Sequence, residues 1–401
     1  MSRIIVIGAG QAGASLTGKL RTLGYEGEIV LIGEEPAPPY QRPPLSKKYL
    51  LGEMSLERMY LKPEAAYGDA GIELRLGTKV EAVDADAKTV TLGGETLGYD
   101  QLAFTTGSAA RMLPAEIGGA HEGVFTVRTL ADVDAMATAF AKGGHVLIIG
   151  GGYIGLEAAA VAAQKGLKVT LIEAADRILK RVAAPETSDF FRDLHAGQGV
   201  DIREGCGLTR LTGDGHVSGA ELSDGTTLDI DFAIVGVGID PCTVLAEDAG
   251  VACENGIRVD AKGETSVPGI WAAGDCASFP YRGERIRLES VPNAMDQAEV
   301  VAANMLGAGQ DYVAKPWFWS DQYDVKLQIA GLNTGYNNVV IRESKGAQSN
   351  WYYRGDELLA VDAMGDARGY MIGKRLIEAG KSPAPEAIAD PETDLKALLK
   401  A

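Results

Sequence analysis

The sequence predicts an α/β fold made of two similar βαβ-based domains followed by a C-terminal α+β domain. Three observations predict it. RIIVIGAGQAGASL (residues 3–16) reads as an apolar strand, a glycine-rich turn and the start of a helix. HVLIIGGGYIGLEAAA (residues 145–160) repeats that shape well over one hundred residues later. From Pro316 onward, PWFWSDQYDVKLQIAG has a different, aromatic and alternating pattern. The βαβ domains are thus Rossmann-like, and a chain of 401 residues is long enough for two or three domains.

The elements follow in order. Residues 3–8 form a buried strand pattern, 12–23 a helix, and Glu28–Ile32 a second strand. APPYQRPPLS (37–46) carries too many prolines to be strand or helix throughout. Residues 72–105 alternate apolar and polar, with turn signals at Gly77, Asp84–Asp86 and Gly93–Gly94, and read as one β-meander. The second βαβ unit starts at His145 and returns at Lys168–Glu173, and β pattern continues through 200–238 to VGVGIDP. GIWAAGDCAS (269–278) is a strand followed by Gly-Asp, and 290–306 is a helix. The first unit therefore resumes after the second. The predicted boundaries are 1–110 with 240–315, then 111–239 inserted, then 316–401.

In each turn the glycines have separate tasks. Gly8 and Gly150 allow the tight turn; Gly10 and Gly152 let the backbone approach a pyrophosphate; Gly13 and Gly155 permit close helix–strand packing. The helix N-terminus offers amide donors and partial positive charge to phosphates. An acid that accepts from a ribose hydroxyl is expected about 20 residues on, at the end of the next strand. IVLIGEE offers Glu34 ahead of Glu35, and VTLIEAADR offers Glu173. An acid repels a 2′-phosphate, so Glu173 favours NADH over NADPH, and the nearby Arg177 weakens that preference. Two nucleotides on one chain suggest a tightly held flavin and a visiting nicotinamide.

Composition excludes other classes. Cys206, Cys242, Cys253 and Cys276 form no CxxC pair, and four histidines show no metal spacing, so no metal or iron–sulfur site is expected within the chain. Net charge of −17 argues against nucleic acid as a partner. The segment from Pro316 carries 10 Lys+Arg against 12 Asp+Glu, whereas the rest carries 28 against 43, so an acidic partner is expected to approach the C-terminal segment. No apolar run approaches the roughly 20 residues of a membrane helix. The first strand begins at residue 3, leaving no room for a signal peptide, so a cytoplasmic protein is expected.

YQRPPLSKKYL (40–50), GGGYIGLE (150–157), AAGDCA (272–277), ESVPNAMDQA (289–298) and PWFWSDQYD (316–324) together resemble the FAD-dependent pyridine nucleotide reductases, and within them the NADH-dependent ferredoxin reductases of bacterial oxygenase systems. The resemblance covers essentially the whole chain and implies a glutathione-reductase-like fold with FAD and NADH as cofactors. It implies that Gly8, Gly10, Ala12 and Gly13 hold the FAD pyrophosphate, with Glu34 on the ribose and Arg42, Val80 and Arg128 as further FAD contacts. It places Lys47 near the reactive nitrogen of the flavin, Gly274-Asp275 at the ribityl-phosphate region, and Val291 at the isoalloxazine edge. Gly150, Gly152, Tyr153, Ile154, Gly155, Glu173 and Gly238 would bind NADH, and Glu157 would lie beside the nicotinamide, paired with Lys47. Read alone, Lys47 is an ordinary solvated lysine and Glu157 an exposed helix residue.

Trp317, Phe318 and Trp319 cannot all face one way on a strand. The resemblance puts Trp319 over the flavin where electrons leave, as relay, gate or docking wall; the alternative is plain core. The implied activity passes electrons from NADH through FAD, one at a time, to a 2Fe-2S ferredoxin that serves a cytochrome P450 or a ring-hydroxylating dioxygenase. The protein would be a monomer or homodimer. Since such ferredoxins are usually acidic, Arg58, Lys62, Lys315 and Lys326 are candidates for a local basic patch. Disulfide reduction would need a cysteine pair, and an NADH oxidase a single cysteine, in residues 36–52, which contain none. A rubredoxin reductase and an NADH-sensing interaction protein of the apoptosis-inducing-factor type are the other readings on this fold.

Overall fold

The computed structural model describes residues 2–344 and 346–400. The chain divides into two compact units, the first comprising 1–42, 55–109 and 239–316, the second 43–54, 110–238 and 317–401.

The first unit is organised by a five-stranded parallel sheet in the order Ile270–Ala272, Gln101–Phe104, Arg3–Ile7, Glu28–Ile32, Ile72–Arg75. The run Ile4–Ile7 is apolar at every position because both faces of a parallel sheet are covered. Ile4 and Val6 pack with Leu16 and Leu20 of the helix Gln11–Thr22 and with Ala298 and Val301 of the helix Val291–Met305. Ile5 and Ile7 face the other way, onto a core shared with Val80, Val90 and Leu92 of a small antiparallel sheet. The predicted meander is therefore narrower than 72–105. Only Val80–Asp84, Thr89–Leu92 and Glu95–Gly98 form it. Ile72–Arg75 and Gln101–Phe104 join the parallel sheet instead, the latter with Leu102, Ala103 and Phe104 all buried.

The second unit repeats the scheme. Its parallel sheet runs Asp201–Glu204, Lys168–Glu173, His145–Ile149, Phe232–Val235, Val124–Phe125. In both sheets the strand that leads into the glycine turn lies between the strand that follows its helix and one that arrives from much later in the chain. The connections leave to opposite sides there, which opens a crevice at the carboxyl ends of the strands. A second, five-stranded antiparallel sheet in the order Trp317–Gln322, Val325–Gly331, Glu357–Met364, Ala347–Arg354, Asn338–Ser344 carries the helix Ala367–Glu378 and forms the α+β part. The buried guanidinium of Arg342 ties the chain end to this sheet by donating to the carbonyls of Ile388, Asp390, Pro391 and Thr393 at 2.6–3.0 Å.

A buried polar group lies in the same unit. Asp362, 1% exposed, accepts from Thr187 Oγ1 at 2.9 Å and from the Tyr352 hydroxyl. Burial pushes its carboxyl up to about 6 from the usual 3.8. The folded state thus keeps this proton to a higher pH than the unfolded chain, so the stabilisation is full below about pH 4 and lost as pH rises through about 6. The loss is on the order of 3 kcal/mol. Asp362→Asn should therefore flatten the stability curve between about pH 4 and 6 and be no less stable than the wild type near neutral pH, as read by denaturant unfolding across that range.

Candidate functional site

The two glycine turns show in geometry what their spacing implies. A Cβ on Gly8 would stand 2.2 Å from the Thr105 carbonyl oxygen, and one on Gly13 would stand 2.1 Å from that of Gly8. A Cβ on Gly10 would meet nothing within 4 Å. The second turn matches: Gly150 against the Gly236 carbonyl oxygen at 2.4 Å, Gly155 against that of Gly150 at 2.0 Å, and nothing near Gly152. The outer glycines are therefore required by the protein's own packing, and the middle glycine faces open space. Gly10 and Gly152 are also the N-caps of Gln11–Thr22 and Tyr153–Gln164, and neither helix has a side-chain cap or an acid in its first turn. The first-turn N–H donors are left for an external acceptor, which is what a dinucleotide pyrophosphate supplies. The residues present fit a dinucleotide at each turn, as FAD and NADH both are.

Ala12 lies buried in the first turn of its helix, where its methyl would be 3.0 Å from a Cβ on Gly274. Gly274 has φ of +83° and donates its N–H to Gln297 Oε1 at 2.9 Å. Asp275 accepts from Ser108 Oγ at 3.1 Å. Val291 opens a 15-residue helix capped by Ser290, whose oxygen accepts from Asn293 N. The Val80 side chain is buried in the core, so its main chain is what can touch a nucleotide. Of the two acids after the first βαβ unit, Glu34 is exposed and 3.5 Å from Lys79. Glu35 instead accepts from Arg42 at 2.6 Å and from the Tyr40 hydroxyl at 2.6 Å, and the Arg42 guanidinium lies over the Tyr40 ring.

In the second unit, Glu173 folds back over its own glycine turn. Its oxygens accept from Gly151 N at 2.7 Å and Ala175 N at 2.8 Å. Each oxygen keeps a lone pair for a ribose hydroxyl. Arg177 is tied to the helix that follows and the loop before it, donating to Ser188 Oγ at 2.6 Å and the Ala183 carbonyl at 2.8 Å. Gly238, with φ of +115°, accepts from Arg111 N at 2.9 Å just beyond the strand Phe232–Val235. Ile154 is partly exposed. The Tyr153 ring packs against Phe318 at 5.0 Å, so its main chain is the part available at the turn. Arg128 precedes the helix Leu130–Lys142 and donates its main-chain N–H to Asp132. Replacing Glu173 by alanine should weaken NADH binding about tenfold or more while leaving NADPH binding nearly unchanged, as read by the two KM values.

Glu157 is buried, 6% exposed, which overturns the reading of it as a surface residue. Its helix is buried nearly all round. The Lys47 ammonium lies 2.9 Å from Glu157 Oε1 and 3.5 Å from Asp321, and is itself only 13% exposed. Lys47 interrupts the wide helical turn Leu45–Tyr49 with φ −132° and ψ −111°. Two hydroxyls complete the carboxylate: Ser46 donates to Oε2 at 2.9 Å and Ser320 to Oε1 at 2.7 Å. Burial holds the Glu157 carboxyl above its usual range, and Lys47, Ser320 and Ser46 offset that rise only in part. Ser46, Ser320 and Asp321 were not singled out by sequence reasoning. Their only signal was lying inside the QRPPLSK and PWFWSDQYD segments, 111 and 163 residues from Glu157 along the chain in the case of the two serines.

Trp317 and Trp319 stack on one face of their strand at 5.5 Å and 29°, while Phe318 faces Tyr153. Lys374 lies over the Trp317 ring at 5.1 Å. Among the described residues no group of His, Cys, Asp and Glu could hold a metal ion, and no helix is long and apolar enough to cross a membrane.

Residues 2–298 match the pyridine nucleotide-disulphide oxidoreductase family and residues 317–399 match the reductase C-terminal family. A ferredoxin–NAD(P)+ reductase of a Sphingomonas species is 44% identical over 98% of this chain and 96% of its own. The ferredoxin–NAD+ reductase component of a p-cumate 2,3-dioxygenase system of Pseudomonas putida is 37% identical over 99% of this chain and 98% of its own. Among solved structures, the covalent putidaredoxin reductase–putidaredoxin complex matches with a TM-score of 0.95 at 38% identity, covering 100% of this chain and 98% of the other.

Proposed function

The chain belongs to the pyridine nucleotide-disulphide oxidoreductases, in the branch of ferredoxin reductases of oxygenase systems, and we propose that it carries electrons from NADH through FAD to a 2Fe-2S ferredoxin serving a cytochrome P450 or a ring-hydroxylating dioxygenase. The observation that carries this reading is the pair of uncapped glycine turns, each with an open middle glycine, on a chain without a cysteine in residues 36–52. Bound FAD supplies the conversion of a two-electron hydride donor into single-electron delivery.

The chain's own residues hold, orient and balance charge. The turn at Gly8–Gly13 and the amides of its helix hold the FAD pyrophosphate, with Glu34 on the ribose. Arg42, the Val80 main chain, Arg128 and Gly274-Asp275 make further FAD contacts, Asp275 by accepting from a ribityl hydroxyl. The Val291 helix N-terminus presents partial positive charge to the isoalloxazine edge. The turn at Gly150–Gly155 (including Tyr153 and Ile154), with Gly238, holds the NADH phosphates, and Glu173 selects the unphosphorylated ribose. Lys47 stabilises the negative charge that hydride transfer brings, and Glu157 holds the ammonium in place. Trp319 belongs to the end where electrons leave, and its stacking on Trp317 supports a rigid wall there. Arg58, Lys62, Lys315 and Lys326 are all exposed, which suits them to an acidic ferredoxin. The protein acts in the cytoplasm as a monomer or homodimer.

Anaerobic titration tests the cofactor assignment. The reconstituted protein should bind one FAD per chain, and about one equivalent of NADH should bleach the flavin, with NADPH far slower. A protein that binds no flavin, or whose flavin NADH does not bleach, would contradict the reading.

A further inference from the structure

A line of buried polar side chains leads away from Glu157. Ser320, Gln322 and His195 are each 0% exposed, the first two at same-face positions of the strand Trp317–Gln322, the third in the last turn of the helix Pro185–Gly197. Tyr323, half-buried, closes the line. The Ser320 hydroxyl donates to Glu157 Oε1 at 2.7 Å, and Gln322 Nε2 donates to Ser320 Oγ at 3.2 Å. Gln322 Oε1 lies 2.8 Å from His195 Nε2, and the Tyr323 hydroxyl lies 3.2 Å from His195 Nδ1.

The direction of every bond follows from the inventory of donors. The Gln322 amide oxygen can only accept, so His195 Nε2 carries the hydrogen. Burial lowers the His195 pKa and keeps the ring neutral, so Nδ1 accepts and Tyr323 donates. Four successive donors thus point one way, at the Glu157 carboxylate. Chains aligned in this sense polarise one another and strengthen the last bond. The line is unsuited to carrying a proton, because the Gln322 amide cannot exchange its N–H for its C=O role without an unfavourable tautomer. Its use is orientation.

We propose that His195 and Gln322 are positioning residues for the Lys47–Glu157 pair: they aim the Ser320 hydroxyl hydrogen at Glu157 and so keep that carboxylate charged against Lys47. The inference rests on the reductase reading for its consequence, but not for its geometry. Among the described residues, the charged groups that bear on Glu157 are Lys47 at 2.9 Å and, across Lys47, Asp321; its hydrogen-bonding hydroxyls are those of Ser46 and Ser320.

The test reads Glu157 directly. The infrared carbonyl band of its protonated carboxyl, identified by its absence in Glu157→Gln, is followed against pH in the resting protein. In His195→Phe and Gln322→Leu the midpoint should rise by about half a unit or more, because the charged form loses hydrogen-bond support. His195→Gln, which restores an N–H toward Gln322, should lie close to wild type. In a Ser320→Ala background, His195→Phe should add no further shift. An unshifted midpoint in His195→Phe, or a shift of equal size with and without Ser320, would overturn the proposal. If His195→Phe does not fold, as judged by its melting transition, Gln322→Leu with and without Ser320→Ala carries the same comparison. Flavin bleaching by NADH in the wild type tests the reductase reading separately, so failure of one does not imitate failure of the other.

Discussion

Lys47→Met should slow NADH-driven flavin reduction by on the order of 100-fold, the cost of removing one preorganised charge from a site where charge develops. The Lys47 ammonium is only 13% exposed and has no role in the main core, so its burial is explained by its two carboxylate neighbours, Glu157 and Asp321. The same substitution leaves Glu157 buried without its counter-ion, which costs about 3 kcal/mol of stability. These two losses can be separated. The double variant Lys47→Met with Glu157→Gln removes both charges, so it should recover most of the stability while remaining slow. Stopped-flow absorbance measures the rate and denaturant unfolding the stability. A double variant that recovered both would make the pair structural only.

The second large effect separates glycines of one turn. Gly13→Ala places a methyl 2.1 Å from the Gly8 carbonyl oxygen, and both are backbone that cannot move cheaply. It should destabilise the fold by about 3 kcal/mol or more with or without FAD. Gly10→Ala has extended backbone, φ −100° and ψ −159°, and open space around its Cβ. Its melting transition without FAD should match wild type. Its FAD affinity should fall about ten- to hundredfold, the result of about 1–3 kcal/mol of crowding against the pyrophosphate. The Gly155→Ala and Gly152→Ala pair should repeat this division for NADH. Equal behaviour of Gly10→Ala and Gly13→Ala would mean that the open side of the turn is not where the nucleotide lies.

These two cases also mark what was readable in advance. The glycine turns were legible because each glycine answers to a local requirement: a strand, a turn and a helix within a dozen residues. The position of Glu173 was legible for the same reason, since it sits at the end of the strand that pairs with the one before the turn. The strands Ile72–Arg75 and Gln101–Phe104 were misassigned because alternation tells that a strand exists but not which sheet takes it. Both are short, four residues each, and adjoin the true antiparallel strands with only brief turns between. The environment of Glu157 was the least legible. The Lys47–Glu157 pairing was expected from the family resemblance, but the two serines that complete the carboxylate converge on it from segments far apart in sequence. No periodicity records such a convergence, and helix spacing alone placed Glu157 at the surface. Arg177 shows the opposite case, a charge close to Glu173 in sequence whose guanidinium is hydrogen-bonded to Ser188 and to the Ala183 carbonyl.

The most direct test of the account is NADH-driven reduction of cytochrome c with and without purified 2Fe-2S ferredoxins from P450 and dioxygenase systems, with oxygen uptake and hydrogen peroxide followed in parallel. The account predicts that at least one ferredoxin raises cytochrome c reduction strongly while oxygen uptake stays low. Fast oxygen consumption that no ferredoxin across the panel changes would contradict it.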